Sequence, residues 1–220
     1  DADAHFHLAG LYFSQQRDSE AVEHYQRVIE LTPDRENAYL HLGISSARMG
    51  DMERAVEILK ELLKNKPDSV LADLALARIY RELDLNLLAE DSYRRVLSKR
   101  PDFETVYLEM GDMYESKGEI ERALELYRSG LDSFHEPSIF RQQIVRLLVL
   151  LNRLDEAAQE LSILLQDDPN NLEALRRLGL IRLQEGDWTA SVEIFSDLHD
   201  RLHDSDQVRF YYGTALEGAR

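Results

Sequence analysis

The apolar positions of this chain recur at i, i+3 and i+4 in short runs, with polar turns between them. Within residues 36–69, Tyr39, Leu42, Gly43, Ser46 and Ala47 form one stripe. Ala55, Ile58, Leu59 and Leu62 form a second, with Met49-Gly50-Asp51 between them. This spacing predicts two amphipathic helices joined by a tight turn. The unit then repeats. Pro33, Pro67 and Pro101 are 34 residues apart, and Pro169 lies two further periods on. On this ruler the chain divides into 2–35, 36–69, 70–103, 104–137, 138–171 and 172–205, followed by a half unit, 206–220. Helices are expected near positions 1–14 and 18–31 of each unit, with a thirteenth starting near Asp206.

Other columns fall on the same ruler. Position 20 reads Ala21, Ala55, Ala89, Ala123, Ala157 and Ser191, and position 8 is mostly Ala or Gly. Large residues stand at position 7 (Leu8, Leu42, Leu76, Met110, Ile144, Leu178, Tyr212) and at position 24 (Tyr25, Leu59, Tyr93, Tyr127, Leu161, Phe195). Small residues let two helices approach, and large ones fill the space beside the contact. Position 15 holds Gly50, Gly118, Gly186 and Asn152, which tolerate the left-handed conformation that ends a helix. Asp34, Asp68, Asp102 and Asn170 are expected to cap the helices that follow them. A helix of about 14 residues is roughly 21 Å long and cannot bury its apolar face alone, so neighbouring units must stack.

The pattern resembles the tetratricopeptide repeat (TPR) family over residues 2–220. The resemblance is carried by Leu-Gly at 42–43 and 178–179, by Tyr12, Tyr80 and Tyr114, and by the alanine and proline columns. Departures are local. The family's Trp-type position holds His5, Tyr39, Asp73, Tyr107, Arg141, Leu175 and Arg209, while His135 and His203 replace the proline. The resemblance implies an all-α, right-handed superhelical solenoid of antiparallel helix pairs, here a single array. It also implies that the first helix of each pair lines a concave groove that binds protein or peptide. The RNA-binding pentatricopeptide arrays are similar but one residue longer per repeat, and their surface is basic.

Two stretches of the implied groove combine apolar residues with arginine. Leu40, Ile44, Leu71 and Leu74 lie with Arg48, Arg78 and Arg81 in the second and third repeats. Val149, Leu150, Leu180 and Leu183 lie with Arg146 and Arg176 in the fifth and sixth. Arginine offers carboxylates a planar fork. A peptide site for acidic and apolar side chains is one reading. The other pairs these arginines with Glu82, Asp112 or Glu115 inside the array and places the aliphatic residues in the inter-repeat core. Two groove chemistries known in the family are missing: there is no lysine-and-asparagine carboxylate clamp, and no asparagine ladder.

Charge and composition narrow the function. The chain carries 42 acids against 26 bases, a net −16, which disfavours nucleic acid and anionic membrane as partners. The fourth repeat contributes most, with nine acids from Glu104 to Glu136 against three bases. Its bland reading is a solvated face; a docking patch for a basic partner is the alternative. With no cysteine there is no disulfide framework or cysteine zinc site. The compartment, cytoplasmic or periplasmic, stays open. No apolar run approaches a membrane span.

His199-Asp200-Arg201-Leu202-His203 has the histidine spacing of a zincin helix but falls where a helix should end. His5 and His7 read as terminal surface groups, and Trp188 as a packing residue. No catalytic residue, cofactor or metal is expected. The expected function is a scaffold that organises a multiprotein assembly. The alternative is the recruiting or regulatory region of a larger enzyme, or of a bacterial envelope or polysaccharide-secretion apparatus. The chain starts Asp1-Ala2-Asp3 without Met, and a fragment of a longer protein is expected. Residues 214–219 do not read as a polar cap, so continuation beyond Arg220 is expected, as is self-association through uncapped ends, with Phe210 and Tyr211 as contacts.

Overall fold

The computed structural model describes residues 1–134, 137–203 and 205–220. His135 and Glu136, which the sequence analysis singled out, lie outside the described residues. The elements are α1 (Ala2–Ser14), α2 (Asp18–Leu31), α3 (Glu36–Arg48), α4 (Met52–Asn65), α5 (Val70–Glu82), α6 (Asn86–Lys99) and α7 (Glu104–Ser116). They continue with α8 (Ile120–Gly130), a 3-10 turn (Leu131–Ser133), α9 (Ser138–Leu150), α10 (Leu154–Asp167), α11 (Leu172–Glu185), α12 (Trp188–Arg201) and α13 (Asp206–Gly218). There is no strand among the described residues. The fold is an all-α helical repeat array, and its first helices start at Ala2, Glu36, Val70, Glu104, Ser138, Leu172 and Asp206, always 34 residues apart. Second helices start at position 17, one residue before the expected place. The second helix of the fourth repeat is shorter than expected, giving way to the 3-10 turn after Gly130.

The chain packs as two compact units, residues 1–113 and 114–220. In the first unit, α1 packs on α2, α3 on α4 and α5 on α6, while α2 meets α3 and α4 meets α5. In the second, α9 meets α8 and α10, α11 meets α10 and α12, and α12 also meets α13. The small-residue columns sit at the closest approaches. Ala21, Ala55, Ala89, Ala123, Ala157 and Ser191 are fully buried. A Cβ added to Gly43 would fall 2.9 Å from Leu59 Cγ, and one added to Gly179 would fall 2.8 Å from the Phe195 ring. Position 8 thus faces the second helix of its own repeat. Gly213, at the same position of the half unit, has nothing within 4 Å of a Cβ built there. The contact to α12 is made by Tyr211, stacked on Phe195 at 5.6 Å, and by Tyr212, stacked on His199 at 5.8 Å. Trp188 packs across the backbone of Gly218, where a Cβ would fall 2.3 Å from its ring.

The helix caps also differ from expectation. The capping residue is position 34, not 33. Ser69 Oγ accepts from Ala72 N at 3.3 Å, Asn171 Oδ1 from Ala174 N at 3.0 Å, and Ser205 Oγ from Val208 N at 3.3 Å. Asp34 and Asn170 lie in the turn before the cap, and Asp102 pairs with Arg100. The reason is register: the next helix starts at position 1, so only the residue just before it can reach the free amides of the first turn.

Where the family pattern expects a large aromatic residue at position 4, several repeats place a polar pair between their two helices. His5 Nδ1 lies 2.9 Å from His24 Nδ1, and Tyr39 Oη donates to Glu61 at 3.4 Å. Arg141 donates to Glu160 at 2.7 Å. In the third repeat Asp73 is fully buried, accepting from Arg95 Nε and Lys99 Nζ, both at 2.6 Å.

Candidate peptide-binding cleft

Helices α3 and α5 diverge enough to leave a cleft of about 420 Å³, lined by Leu40, Ile44, Ala47, Arg48, Leu71, Leu74, Ala75, Arg78, Ile79 and Glu82. Leu40 and Leu74 are buried and form its floor, while Leu71 is 47% exposed at its rim. Six of the sequence-derived groove residues meet here; Arg81 does not line the cleft. Ala47 and Glu82 also fall at groove positions of the repeat, and the residues missed are Ala75 and Ile79. Ala75 was legible in hindsight: it is the one small residue at position 6, where the other repeats carry His7, His41, Glu109, Gln143, Arg177 and Tyr211. The two alanines create the volume, because they leave the space between the aliphatic walls unfilled.

The arginines of the cleft are held from behind. Arg78 donates to Glu109 through Nε at 3.1 and 3.0 Å and through Nη2 at 2.5 Å, and Tyr93 Oη donates to the same carboxylate at 3.0 Å. Arg81 Nη1 donates to the Glu109 carbonyl oxygen at 3.4 Å. Burial pushes the Glu109 carboxyl up, but the Arg78 hydrogen bonds and charge, with the Tyr93 hydroxyl, hold it below the ordinary carboxylate value. The Glu109 hydrogen bonds in turn raise Arg78. Burial, and then the Glu109 charge, push the Tyr93 phenol well above its ordinary range.

Arg48 is freer. Its guanidinium stacks on the Phe13 ring at 4.2 Å and lies 3.6 Å from Asp18, beyond hydrogen-bond distance. Beside it, His41 is sandwiched between Phe13 at 4.8 Å and Tyr25 at 5.5 Å. Burial, and secondarily the Arg48 charge, lower the pKa of His41.

The second groove stretch is built differently. Leu180 and Leu183 pack against the core formed by Phe195, Leu198 and Val208. Val149 and Leu150 are 42% and 64% exposed. Arg146 donates two 2.7 Å hydrogen bonds to Glu115 and further bonds to Gln143. Arg176 is bound to Glu173, one turn away on its own helix, at 2.8 to 2.9 Å. A recess of only about 60 Å³ lies among α9, α10 and α11, lined in part by Gln142, Val145, Leu161 and Arg177. Internal pairing of arginines therefore occurs at both stretches. Of the acids named for it from sequence, only Glu115 is used; Glu109, Asp18 and Glu173 supply the rest.

His199 sits in α12 against Tyr212, and no three His or carboxylate side chains converge to hold a metal ion among the described residues. No helix among them is long and apolar enough to cross a membrane.

The profile of the Tetratricopeptide repeat matches residues 40–102, 74–135 and 143–216, and that of the TPR repeat matches 9–50. The chain belongs to the tetratricopeptide repeat family. TPR arrays bind proteins or peptides, and this one is a protein-interaction scaffold in that general sense. It is 30% identical over 129 residues to the Protein CTR9 homolog of Arabidopsis thaliana, covering 58% of this chain and 12% of that protein. It is 29% identical over 123 residues to Lipopolysaccharide assembly protein B of Haemophilus influenzae, covering 53% of this chain and 30% of that one. The TPR chain thus spans less than a third of these two relatives. The crystal structure of YrrB, described as a TPR protein with an unusual peptide-binding site, superposes with a TM-score of 0.56 at 16% identity. That match covers 90% of this chain and 99% of YrrB.

Proposed function

We propose that this TPR array binds a peptide segment of a partner protein in the α3–α5 cleft. A large apolar side chain enters between Leu40, Ile44, Leu71 and Leu74, and a neighbouring carboxylate meets Arg48 and the free face of Arg78. The observation that supports this most is the cleft itself: about 420 Å³ with apolar walls and two guanidinium groups at its rim, within the size range of specific ligand pockets. The walls supply affinity. Arg48, which makes no hydrogen bond among the described residues, supplies the polar selection. The array performs no chemistry in this reading; it holds a partner.

The share of its relatives that the chain covers, 12% and 30%, favours a second, compatible reading. The array is then the recruiting part of a larger protein, and the similarity to a lipopolysaccharide assembly protein makes an envelope apparatus one setting to examine.

The test is selection of displayed peptides on the wild-type chain, followed by measurement of the winners on Leu71→Asn and Arg48→Gln. Both positions are exposed, so the fold is retained. Winners are expected to carry an apolar residue close to Asp or Glu and to bind each variant at least about tenfold more weakly, with affinity falling as salt rises. Winners that bind both variants as well as wild type would reject the cleft as the site.

A further inference from the structure

The turn from α5 to α6 carries four leucines within six residues: Leu83, Leu85, Leu87 and Leu88. All four are exposed, Leu87 at 77%. No other repeat places more than one leucine at these four register positions; the second repeat has Met49, Asp51, Glu53 and Arg54 there. The substitution also removes local support. Asp51 caps α4 by accepting from Arg54 N at 3.2 Å, and Glu53 adds negative charge to the first turn. At α6 the cap residue is Leu85, with no side-chain hydrogen bond and no acid in the first turn. Leucines exposed to water at an uncapped helix start contribute little to this fold, and a contiguous apolar patch of this kind marks an interaction surface.

The surroundings narrow the kind of partner. Most of the backbone of the turn is paired: Leu83 N donates to Ile79 O, Asp84 N to Arg81 O, Leu85 N to Tyr80 O, and Leu88 N and Ala89 N both to Leu85 O. No strand edge is offered, so recognition must run through side chains. Glu82 precedes the patch, Asp84 lies inside it, and Asp91 follows Leu87 and Leu88 by one helical turn, on the same face. Glu82 and Asp91 are exposed and make no ion pair among the described residues. An apolar ridge with an acidic rim complements an apolar stripe flanked by cations. A second copy of this chain, at net −16, would bring like charge to the rim, as would an anionic membrane.

We propose that the α5–α6 edge docks a basic amphipathic helix of a partner protein, with aliphatic side chains over Leu85, Leu87 and Leu88 and Lys or Arg against Glu82, Asp84 and Asp91. This surface is separate from the α3–α5 cleft and does not depend on it. The probe is a fluorescent amphipathic helix of about 18 residues, leucine on one face and lysine on the other, read by anisotropy. A leucine–glutamate version is the control.

The key variant is Leu85→Asn with Leu87→Gln. It leaves the net charge unchanged and places a capping residue before α6, so its melting temperature should hold or rise. Binding of the lysine peptide should fall at least about tenfold. Glu82→Gln with Asp91→Asn should weaken binding less and flatten its salt dependence. Leu71→Asn in the cleft should leave it unchanged. Four results would each overturn the proposal: undiminished binding by the leucine variant, equal binding of the glutamate peptide, loss of binding in Leu71→Asn, or a leucine-dependent dimer in sedimentation. Leucine-dependent flotation with phosphatidylcholine vesicles would overturn it as well, by assigning the patch to lipid.

Discussion

The α3–α5 and α9–α11 faces occupy equivalent places in the repeat and both combine aliphatic residues with arginine, yet a cleft of about 420 Å³ opens on the first, whereas the recess bordering the second, shared with α10, is about 60 Å³. The wall residues differ in register: Leu40, Ile44, Leu71 and Leu74 on the first face correspond to Gln142, Arg146, Glu173 and Arg176 on the second. Two small residues add to this. Ala47 and Ala75 on the first face correspond to Val149 and Arg177 on the second. Space in a close-packed array is set by its smallest residues, so the cleft reflects what those positions lack. The arginines differ as well: Arg176 is tied to its own helix through Glu173, whereas Arg78 is tied to α7 through Glu109. The first tie is local and exposed, the second cross-helical and half-buried.

The largest effect is expected where the two faces rest on their second helices. Gly179→Ala drives a Cβ to 2.8 Å from the rigid Phe195 ring, while Gly43→Ala meets Leu59 Cγ at 2.9 Å, on a side chain that can change rotamer. Overpacking of this kind costs about 1–3 kcal/mol. Gly179→Ala should sit at the upper end and Gly43→Ala at the lower, measured as midpoint shifts in urea; equal shifts would erase this distinction.

Next comes the transplant that makes the first face resemble the second. Ala75→Arg should fill the cleft and cost selected peptides about tenfold in affinity, roughly 1.4 kcal/mol. The reciprocal Arg177→Ala should enlarge the 60 Å³ recess, which Arg177 lines, in a crystal structure.

A smaller effect separates the two arginine ties. The Glu109 pKa is depressed in the fold. The Arg78 pair therefore contributes stability that is full above the ordinary carboxylate value of 4.5 and is lost as pH falls through the lower folded value. Glu109→Gln should lower stability at neutral pH by about 1 kcal/mol and reduce the acid sensitivity in that window. Denaturant titrations at several pH values would show it.

The smallest effect concerns His41, whose pKa is also depressed, so the fold favours its neutral form. Stability is full above the ordinary histidine value of 6.5 and declines as pH falls below it, because the unfolded chain takes the proton first. His41→Phe should remove that component, leaving a flatter melting temperature between neutral pH and mild acid.

Much of the fold was legible because a 34-residue period leaves one signal in many columns. A helix start, a buried alanine and a facing tyrosine each recur several times, so local irregularities do not shift the register. The caps were displaced by one residue because Asp and Asn are favourable in turns as well as at helix starts, and proline spacing alone does not separate the two. At the cleft, the aliphatic wall and the arginines were legible from position. Ala75 was passed over because a small residue carries no chemistry of its own, and the acids that hold the arginines were misassigned. Glu109 lies 31 residues from Arg78, a separation that no local pattern connects.

By itself the sequence determined where helices begin, which faces they bury and which residues sit at their contacts, since these follow from periodicity and side-chain size. The left-handed turn residues show where that authority stops. Position 15 has positive φ in all six repeats: at Gly50, Gly118, Gly186 and Asn152, where composition announces it, and also at Gln16 and Asp84, where it does not. At Gln16 the packing of two helices imposes the conformation on a residue that does not favour it, and at Asp84 on one that tolerates it without announcing it. The same holds for function. Which arginine is tied back and which is freer, and whether an aliphatic face closes or opens, depend on distances between helices. Only the tertiary structure sets those distances, because they result from how whole side chains pack against each other.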